Sequence, residues 1–209
     1  MNSNKIFCIG LNKTGTTSLL YEFVRMGVMT GNQREGEQMV SHYLNGNFKP
    51  ILNYCKRDKF FQDIPFSIPN FYKQLDMEFP NAKFILSVRT SADEWYDSLI
   101  RFHTKSKLIG VAGKLPTSDD LKESSYVYKG WAYDVHNIIY NVPYDDPYNK
   151  DILIETYENH KKDVNEYFKN RNNDLIVIDL ADNQSYIKFK NFFGFKNNFT
   201  KFLHENSSK

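Results

Sequence analysis

The chain has 209 residues, and Lys plus Arg total 27 against 25 for Asp plus Glu, which gives a formal net charge of +2. A charge this small excludes a global basic field that would steer nucleic acid, so any anion site must be local. Two cysteines are too few for a disulfide framework, and no run approaches the roughly 20 apolar residues of a membrane span. We therefore expect a single cytoplasmic domain over residues 1–209.

The first predicted elements are a strand, a loop and a helix. Residues 5–10 form a short apolar run that ends in glycine, and residues 18–25 place their apolar side chains on one helical face. Gly27 is positioned to end this helix in a left-handed C-terminal cap. A second helix is predicted from about residue 34 to residue 44.

Strands and helices continue to alternate along the chain. Strands are predicted at residues 59–63, 83–88 and 175–178, and helices at 70–79, 92–103, 151–169 and 185–193. Residues 104–150 contain scattered Gly and Pro and many aromatic residues, and we interpret them as a partly helical lid or acceptor-binding insertion. The alternation predicts a three-layer α/β fold with a mainly parallel sheet of about four to five strands, whose ligands bind beyond the C-terminal strand ends.

The first strand end carries a candidate phosphate loop, residues 10–18, which reads Gly-Leu-Asn-Lys-Thr-Gly-Thr-Thr-Ser. Its N–H groups and the following helix N-terminus supply donors and a positive dipole, and Lys13 adds a full charge. An ATPase-type loop has Lys directly after its second glycine, where Thr16 stands here. The loop thus argues against a magnesium-nucleotide hydrolase, and a nucleotide or small-molecule kinase is kept as an alternative.

The run from Lys13 to Thr17 resembles the 5'-phosphosulfate loop of sulfotransferases that use 3'-phosphoadenosine 5'-phosphosulfate, PAPS. The resemblance to a smaller branch of this P-loop-like family extends through FPNAKFIL at 79–86, EWY at 94–96, YENH at 157–160 and FLHEN at 202–206. It implies a donor site made of Lys13, Thr14, Gly15, Thr16, Thr17, Ser18, Arg89 and Ser98. Arg89 and Ser98 would hold the 3'-phosphate, at a spacing one residue longer than in the cytosolic branch.

The second strand end offers a candidate base. The cytosolic branch has a catalytic His two residues before a proline at this place, and Asp63 holds the matching position before Pro65. A carboxylate with a reference pKa of about 3.9 is a weak base unless burial raises its pKa. An Asp that binds nearby backbone or acceptor hydroxyls is the alternative, and His103 and His136 beside the lid are the next candidates for the base.

The resemblance implies transfer of a sulfuryl group from PAPS to a hydroxyl or amine of a small-molecule or glycan-like acceptor, with adenosine 3',5'-bisphosphate as product. Lys13 would stabilise the leaving oxygens and Asp63 would activate the acceptor. No metal is expected, because the five histidines show no close pair at ligand spacing joined to carboxylates. The late Arg-Lys-Gly motif of the cytosolic branch is not visible, and Lys196 and Lys201 are the candidates to replace it. A binding module without turnover is a further alternative.

Overall fold

The structure is a computed structural model that describes residues 4–106, 109 and 113–203. The chain divides into two compact units. The first consists of Met1–Thr90 together with Lys161–Lys209, and the second is Ser91–His160. Whether the chain acts as a single domain with a lid at 104–150 stays a prediction.

The first unit is built on a parallel sheet. Its strands are β1 (Ile6–Cys8), β2 (Phe60–Phe61), β3 (Lys83–Val88) and β4 (Leu175–Asp179). They are ordered β2-β1-β3-β4, and each neighbouring pair is parallel. This sheet confirms the predicted α/β class, and its four strands fall within the predicted range.

The helices mostly agree with the pattern of apolar residues. In chain order they are α1 (Thr16–Arg25), α2 (Gln33–Gln38), α3 (Val40–Leu44), α4 (Lys49–Tyr54), α5 (Phe71–Glu78), α6 (Ala92–Lys105), α7 (Ser118–Glu123), α8 (Trp131–Tyr140), α9 (Lys150–Phe168) and α10 (Asn183–Phe193). Gly27 has φ +71°, and the Val28 N–H bonds to the Phe23 carbonyl, so the predicted cap of α1 is confirmed.

Two helical predictions differ from the structure. The helix expected from residue 34 to residue 44 is divided into α2 and α3, because the Met39 N–H bonds to the Gly36 carbonyl in a tighter i→i+3 turn. The sequence analysis did not predict α4. This six-residue helix has Pro50 in its first turn and buries Ile51 and Tyr54, which is too short a pattern to reveal a helical period.

Alternate residues of β1 pack on opposite faces of the sheet. Ile6 and Cys8 belong to one buried cluster with Phe23 of α1 and Phe189 of α10. Phe7 faces the other way, and its ring lies 5.6–5.8 Å from the rings of Phe61, Phe66, Phe79 and Phe84. Apolar layers on both faces are what a three-layer fold requires, and each fully buried Phe contributes roughly 1.5–3 kcal/mol.

The second unit is helical and contains α6, α7, α8 and the first part of α9. Trp95 of α6 is fully buried and stacks on Tyr157 of α9 at a centroid distance of 4.7 Å. Within the parts of the chain that the structure describes, no helix combines the length and the apolar character needed to cross a membrane.

Candidate functional site

The phosphate loop joins the end of β1 to the start of α1. Lys13 and Gly15 both have left-handed backbone, with φ of +68° and +94°. A Cβ at Gly15 would lie 2.9 Å from the Leu180 side chain, so glycine satisfies both the backbone and the space available. Thr16 is the first residue of α1, and the N–H groups of a first helical turn have no acceptor within their helix. The geometry suits an anion.

Thr14 holds the phosphate loop onto the sheet through its side chain. Its buried hydroxyl donates to the Leu11 carbonyl at 2.6 Å and lies 2.6 Å from the hydroxyl of Ser87 on β3. Ser87 in turn lies 3.4 Å from the Cys8 sulfur. The Thr14 hydroxyl therefore fixes the phosphate loop to the sheet.

Arg89 follows β3 and reaches the phosphate loop. Its Nε donates a hydrogen bond of 2.9 Å to the Lys13 carbonyl. The structure thus brings together two of the cations that the resemblance assigns to opposite ends of the donor nucleotide. Both lie at the C-terminal edge of the sheet, because β1 and β3 are adjacent and parallel.

The ammonium group of Lys13 is affected by burial and by one negative and one positive neighbour. Burial lowers the pKa of Lys13 to about 8; the negative charge of Asp63 opposes this shift, and the positive charge of Arg89 reinforces it. Lys13 is therefore poised between its charged and neutral forms near neutral to mildly alkaline pH. An anion bound beside Lys13 would favour the charged form.

Asp63 lies just beyond β2 with a left-handed backbone, φ +60°. Its Oδ1 accepts from the Ile64 N–H at 3.0 Å, and its Oδ2 lies 3.4 Å from both Thr16 Oγ1 and Gln33 Nε2. Burial raises the pKa of Asp63, while the charge of Lys13 and the bonds from Ile64 and Thr16 oppose the shift. Asp63 therefore meets the condition under which a carboxylate becomes a stronger base.

Three polar residues beside Asp63 were missed by the sequence analysis. Gln33 Nε2 donates to Glu37 Oε1, and Gln62 Nε2 donates to Gln33 Oε1, both at 2.9 Å. Glu37 and Gln62 are each only 4% exposed. Two features of the sequence could have indicated them: Gln62 is adjacent to Asp63, and the segment 33–38 is polar throughout. A polar segment without an apolar period is ordinarily predicted to lie on the surface.

The remaining predicted residues differ in their element and in their burial. Ser98 is half-buried on α6 in the second unit, so its contact with the donor stays a prediction. Lys196 and Lys201 are exposed after α10. The resemblance also assigns Thr17 and Ser18 to the donor site. Both lie on α1, where Thr17 is half-buried and Ser18 is buried.

The two candidate lid histidines are buried within the second unit. His103 Nδ1 lies 2.6 Å from the Tyr148 hydroxyl, and His136 Nε2 contacts the Pro147 carbonyl. Burial lowers the pKa of His136 to about 4, although the bond to Pro147 opposes this. His136 is thus neutral at pH 7 and donates to that carbonyl. These contacts favour structural roles for both residues and leave Asp63 as the first candidate for the base.

The second unit also contains a cavity of about 350 Å³, whose wall combines aromatic, proline and acidic residues. It is lined by Leu115, Pro116, Thr117, Ser118, Asp119, Tyr144, Asp145, Asp146, Pro147 and Tyr148. This cavity falls inside the segment 104–150 that was predicted to bind the acceptor. Across residues 4–106, 109 and 113–203, no group of three or more His, Cys, Asp or Glu side chains could hold a metal ion.

Comparison with protein families identifies the chain. A family model described as a sulfotransferase domain matches residues 5–209. The chain belongs to the sulfotransferase family. The matched range includes the phosphate loop, Asp63 and Arg89, so these features all lie within the sulfotransferase domain. A comparison with curated protein sequences gives no match.

Proposed function

We propose that the protein transfers a sulfuryl group from PAPS to a hydroxyl or amine acceptor and releases adenosine 3',5'-bisphosphate. The observation that carries this proposal is the hydrogen bond from Arg89 Nε to the Lys13 carbonyl. It joins a second cation to the phosphate loop at the same sheet edge. Membership of the sulfotransferase family supports the type of reaction.

PAPS, when bound, supplies an activated sulfuryl group on its 5'-phosphate. In the proposed reaction the N–H groups of the phosphate loop hold the 5'-phosphate, and Arg89 holds the 3'-phosphate, aided by Ser98. Lys13 neutralises the negative charge that grows on the bridging oxygen as its bond to sulfur breaks. The acceptor oxygen or nitrogen forms the new bond to sulfur.

Asp63 performs the proton transfer in this proposal. It accepts the proton that the acceptor loses as the new bond to sulfur forms. Its raised pKa suits this role, and its contact with Thr16 places it next to the phosphate loop. The acceptor is a small molecule or a glycan, and we assign its binding to residues 104–150.

Calorimetry tests the donor site. We expect adenosine 3',5'-bisphosphate to bind equally well with and without EDTA, and more tightly than Mg-ATP. Equal or tighter binding of Mg-ATP would instead support a kinase. Bisphosphate binding without transfer to any of a panel of hydroxyl and amine acceptors would support a binding module.

The Arg89→Ala variant tests how the nucleotide is oriented. Loss of a charge-assisted contact worth roughly 1.5–3 kcal/mol weakens bisphosphate binding by about 10- to 150-fold. Adenosine 5'-monophosphate lacks the 3'-phosphate, so its affinity should fall clearly less, and only through the lost bond from Arg89 to the phosphate loop. An equal loss for both nucleotides would show that Arg89 does not bind the 3'-phosphate.

A further inference from the structure

A short polar helix approaches Asp63 closely. Gly36 of α2 lies against the segment after Asp63, because an added Cβ would be 3.2 Å from the Ile64 carbonyl oxygen. The start of α2 is fixed by Asn32, whose side chain accepts from the Glu35 N–H and whose carbonyl accepts from Tyr54 at 2.7 Å. These contacts place α2 firmly beside the candidate base.

The amide of Gln33 is oriented by its neighbours. An amide nitrogen has two hydrogens, and in Gln33 it lies 2.9 Å from Glu37 Oε1 and 3.4 Å from Asp63 Oδ2. The Gln33 oxygen accepts from Gln62 Nε2 at 2.9 Å. Rotating the amide by half a turn would set its oxygen against two carboxylates, so the nitrogen must face Asp63.

Glu37 is itself held in place. Its Oε2 lies 3.2 Å from Arg34 Nη1, while its Oε1 accepts from Gln33. Burial raises the pKa of Glu37, and the nearby charge of Asp63 raises it further, whereas Gln33 and Arg34 oppose these effects. The buried carboxylate of Glu37 and the half-buried residue Asp63 therefore share a single amide donor.

We propose that Gln33 and Glu37 are positioning residues for the acceptor base: Gln33 fixes the rotation of the Asp63 carboxylate, and Glu37 fixes Gln33 and adds a negative charge behind Asp63. This inference rests on the proposed function only for its catalytic consequence. The arrangement of Arg34, Glu37, Gln33 and Asp63 can be tested whether or not the protein transfers a sulfuryl group.

The charges around Asp63 give the direction of each effect. Lys13 acts on it from the phosphate loop, and the charge of Arg89 acts in turn on Lys13. Glu37 on α2, which pairs with Arg34, interacts with Asp63 electrostatically. Cys8 on β1 is a neutral thiol, because burial raises its pKa to about 11. Removing the negative charge of Glu37 removes a repulsion and so stabilises the ionised Asp63 carboxylate. Removing the hydrogen-bond donor of Gln33 destabilises the ionised Asp63 carboxylate.

Two adjacent substitutions should therefore shift Asp63 in opposite directions. Glu37→Gln keeps the size of the side chain and an oxygen for Gln33, and it should lower the pKa of Asp63 by on the order of half a unit or more. Gln33→Leu should raise it. The carboxyl carbon of Asp63 can be followed by carbon-13 NMR titration, with Asp63→Asn used to assign the signal.

Glu35→Gln is the matched control. Glu35 lies on the same helix and also pairs with an arginine, Arg57, at 2.6 Å, so the substitution removes a Glu–Arg ion pair from the exposed side of that helix. It should leave the titration of Asp63 unchanged. Equal shifts in the Glu35 and Glu37 variants, or no rise with Gln33→Leu, would overturn the proposal. If Gln33→Leu does not fold, the isosteric Glu37→Gln comparison decides alone.

Kinetics provide the second readout once an acceptor is found. Gln33→Leu should reduce kcat on the order of tenfold and leave bisphosphate affinity unchanged, with the acid limb of the pH–rate profile moved to higher pH. Glu37→Gln should move that limb to lower pH. Opposite NMR shifts without turnover on any acceptor would keep the positioning network and reject the proposed function. Unchanged Asp63 titrations in an active enzyme would reject the positioning network and keep the proposed function.

Discussion

At the scale of single residues, the lowered pKa of Lys13 should make the proposed donor binding depend on pH. The charged form of Lys13 predominates below about pH 7 and is lost as the pH rises through about 8. We therefore expect bisphosphate affinity to be level below pH 7 and to fall by up to about tenfold per unit well above pH 8. Calorimetry between pH 6.5 and 9.5 measures this, and Lys13→Met should abolish the fall. A level profile in the native protein would show that Lys13 does not contact the nucleotide.

Asp63→Asn should separate proton transfer from donor binding. Asn tolerates left-handed backbone as well as Asp does, so the variant should fold normally. Turnover should drop by about 10²-fold or more, because general base catalysis contributes on that order, and bisphosphate affinity should hardly change. Single-turnover rates and calorimetry give both values. Normal turnover in Asp63→Asn would reduce Asp63 to a scaffold residue.

The phosphate loop could be recognised from local spacing, because Lys13, Gly15 and Thr16 lie in one continuous segment whose pattern suggests an anion site. Arg89, Ser98 and Asp63 lie far along the chain and were assigned through the family resemblance. Gln33 and Glu37 approach Asp63 only after the chain has folded, 30 and 26 positions away, and no local pattern marks them. The inward hydrogen bonds of Thr14 were also not predictable, because they depend on Ser87 in a neighbouring strand.

At the scale of elements, Asp76 on α5 binds two residues at the end of α9. Tyr167 lies in the last turn of that helix, and Arg171 follows it. Asp76 accepts from the Tyr167 hydroxyl at 2.8 Å and from Arg171 through two bonds of 2.8 and 3.1 Å. Asp76→Ala should lower the free energy of unfolding by about 1–2 kcal/mol, because Tyr167 and Arg171 lose their shared acceptor, although Arg171 keeps its ion pair with Asp174 and is partly solvated. Urea denaturation measures this.

Glu78→Ala on the same helix is the control for Asp76. Its partner Lys56 is 3.7 Å away and both side chains are exposed, so the change should stay within about 0.5 kcal/mol. Equal losses in the two variants would show that the bidentate geometry of Arg171 adds no stability.

Elements were predictable where the hydrophobic period was long enough. The strand β3 and the long helix α9 were located to within one residue, since each places many apolar side chains in a regular order. The division between α2 and α3 depends on one tight turn, and the boundaries of the compact units at Ser91 and His160 follow no change in composition. These features arise from tertiary contacts.

At the scale of the whole molecule, the cysteines report on intact packing. Cys8 and Cys55 are both 0% exposed, and burial raises the pKa of each thiol. In the native protein at pH 8 both should react slowly with a thiol reagent such as DTNB, whereas guanidinium should expose two reactive thiols per chain. Rapid reaction of either thiol before unfolding would contradict the buried packing of its unit.

The charge pairing of Lys13 with Asp63 also bears on the order in which substrates act. Without nucleotide, the ammonium group restrains the basicity of Asp63. In the proposed reaction, a donor anion beside Lys13 would compensate that positive charge and raise the pKa of Asp63 further. An acceptor that entered first would then meet a less basic carboxylate than one that followed the donor. The donor nucleotide would in this way activate the acceptor side of the proposed site.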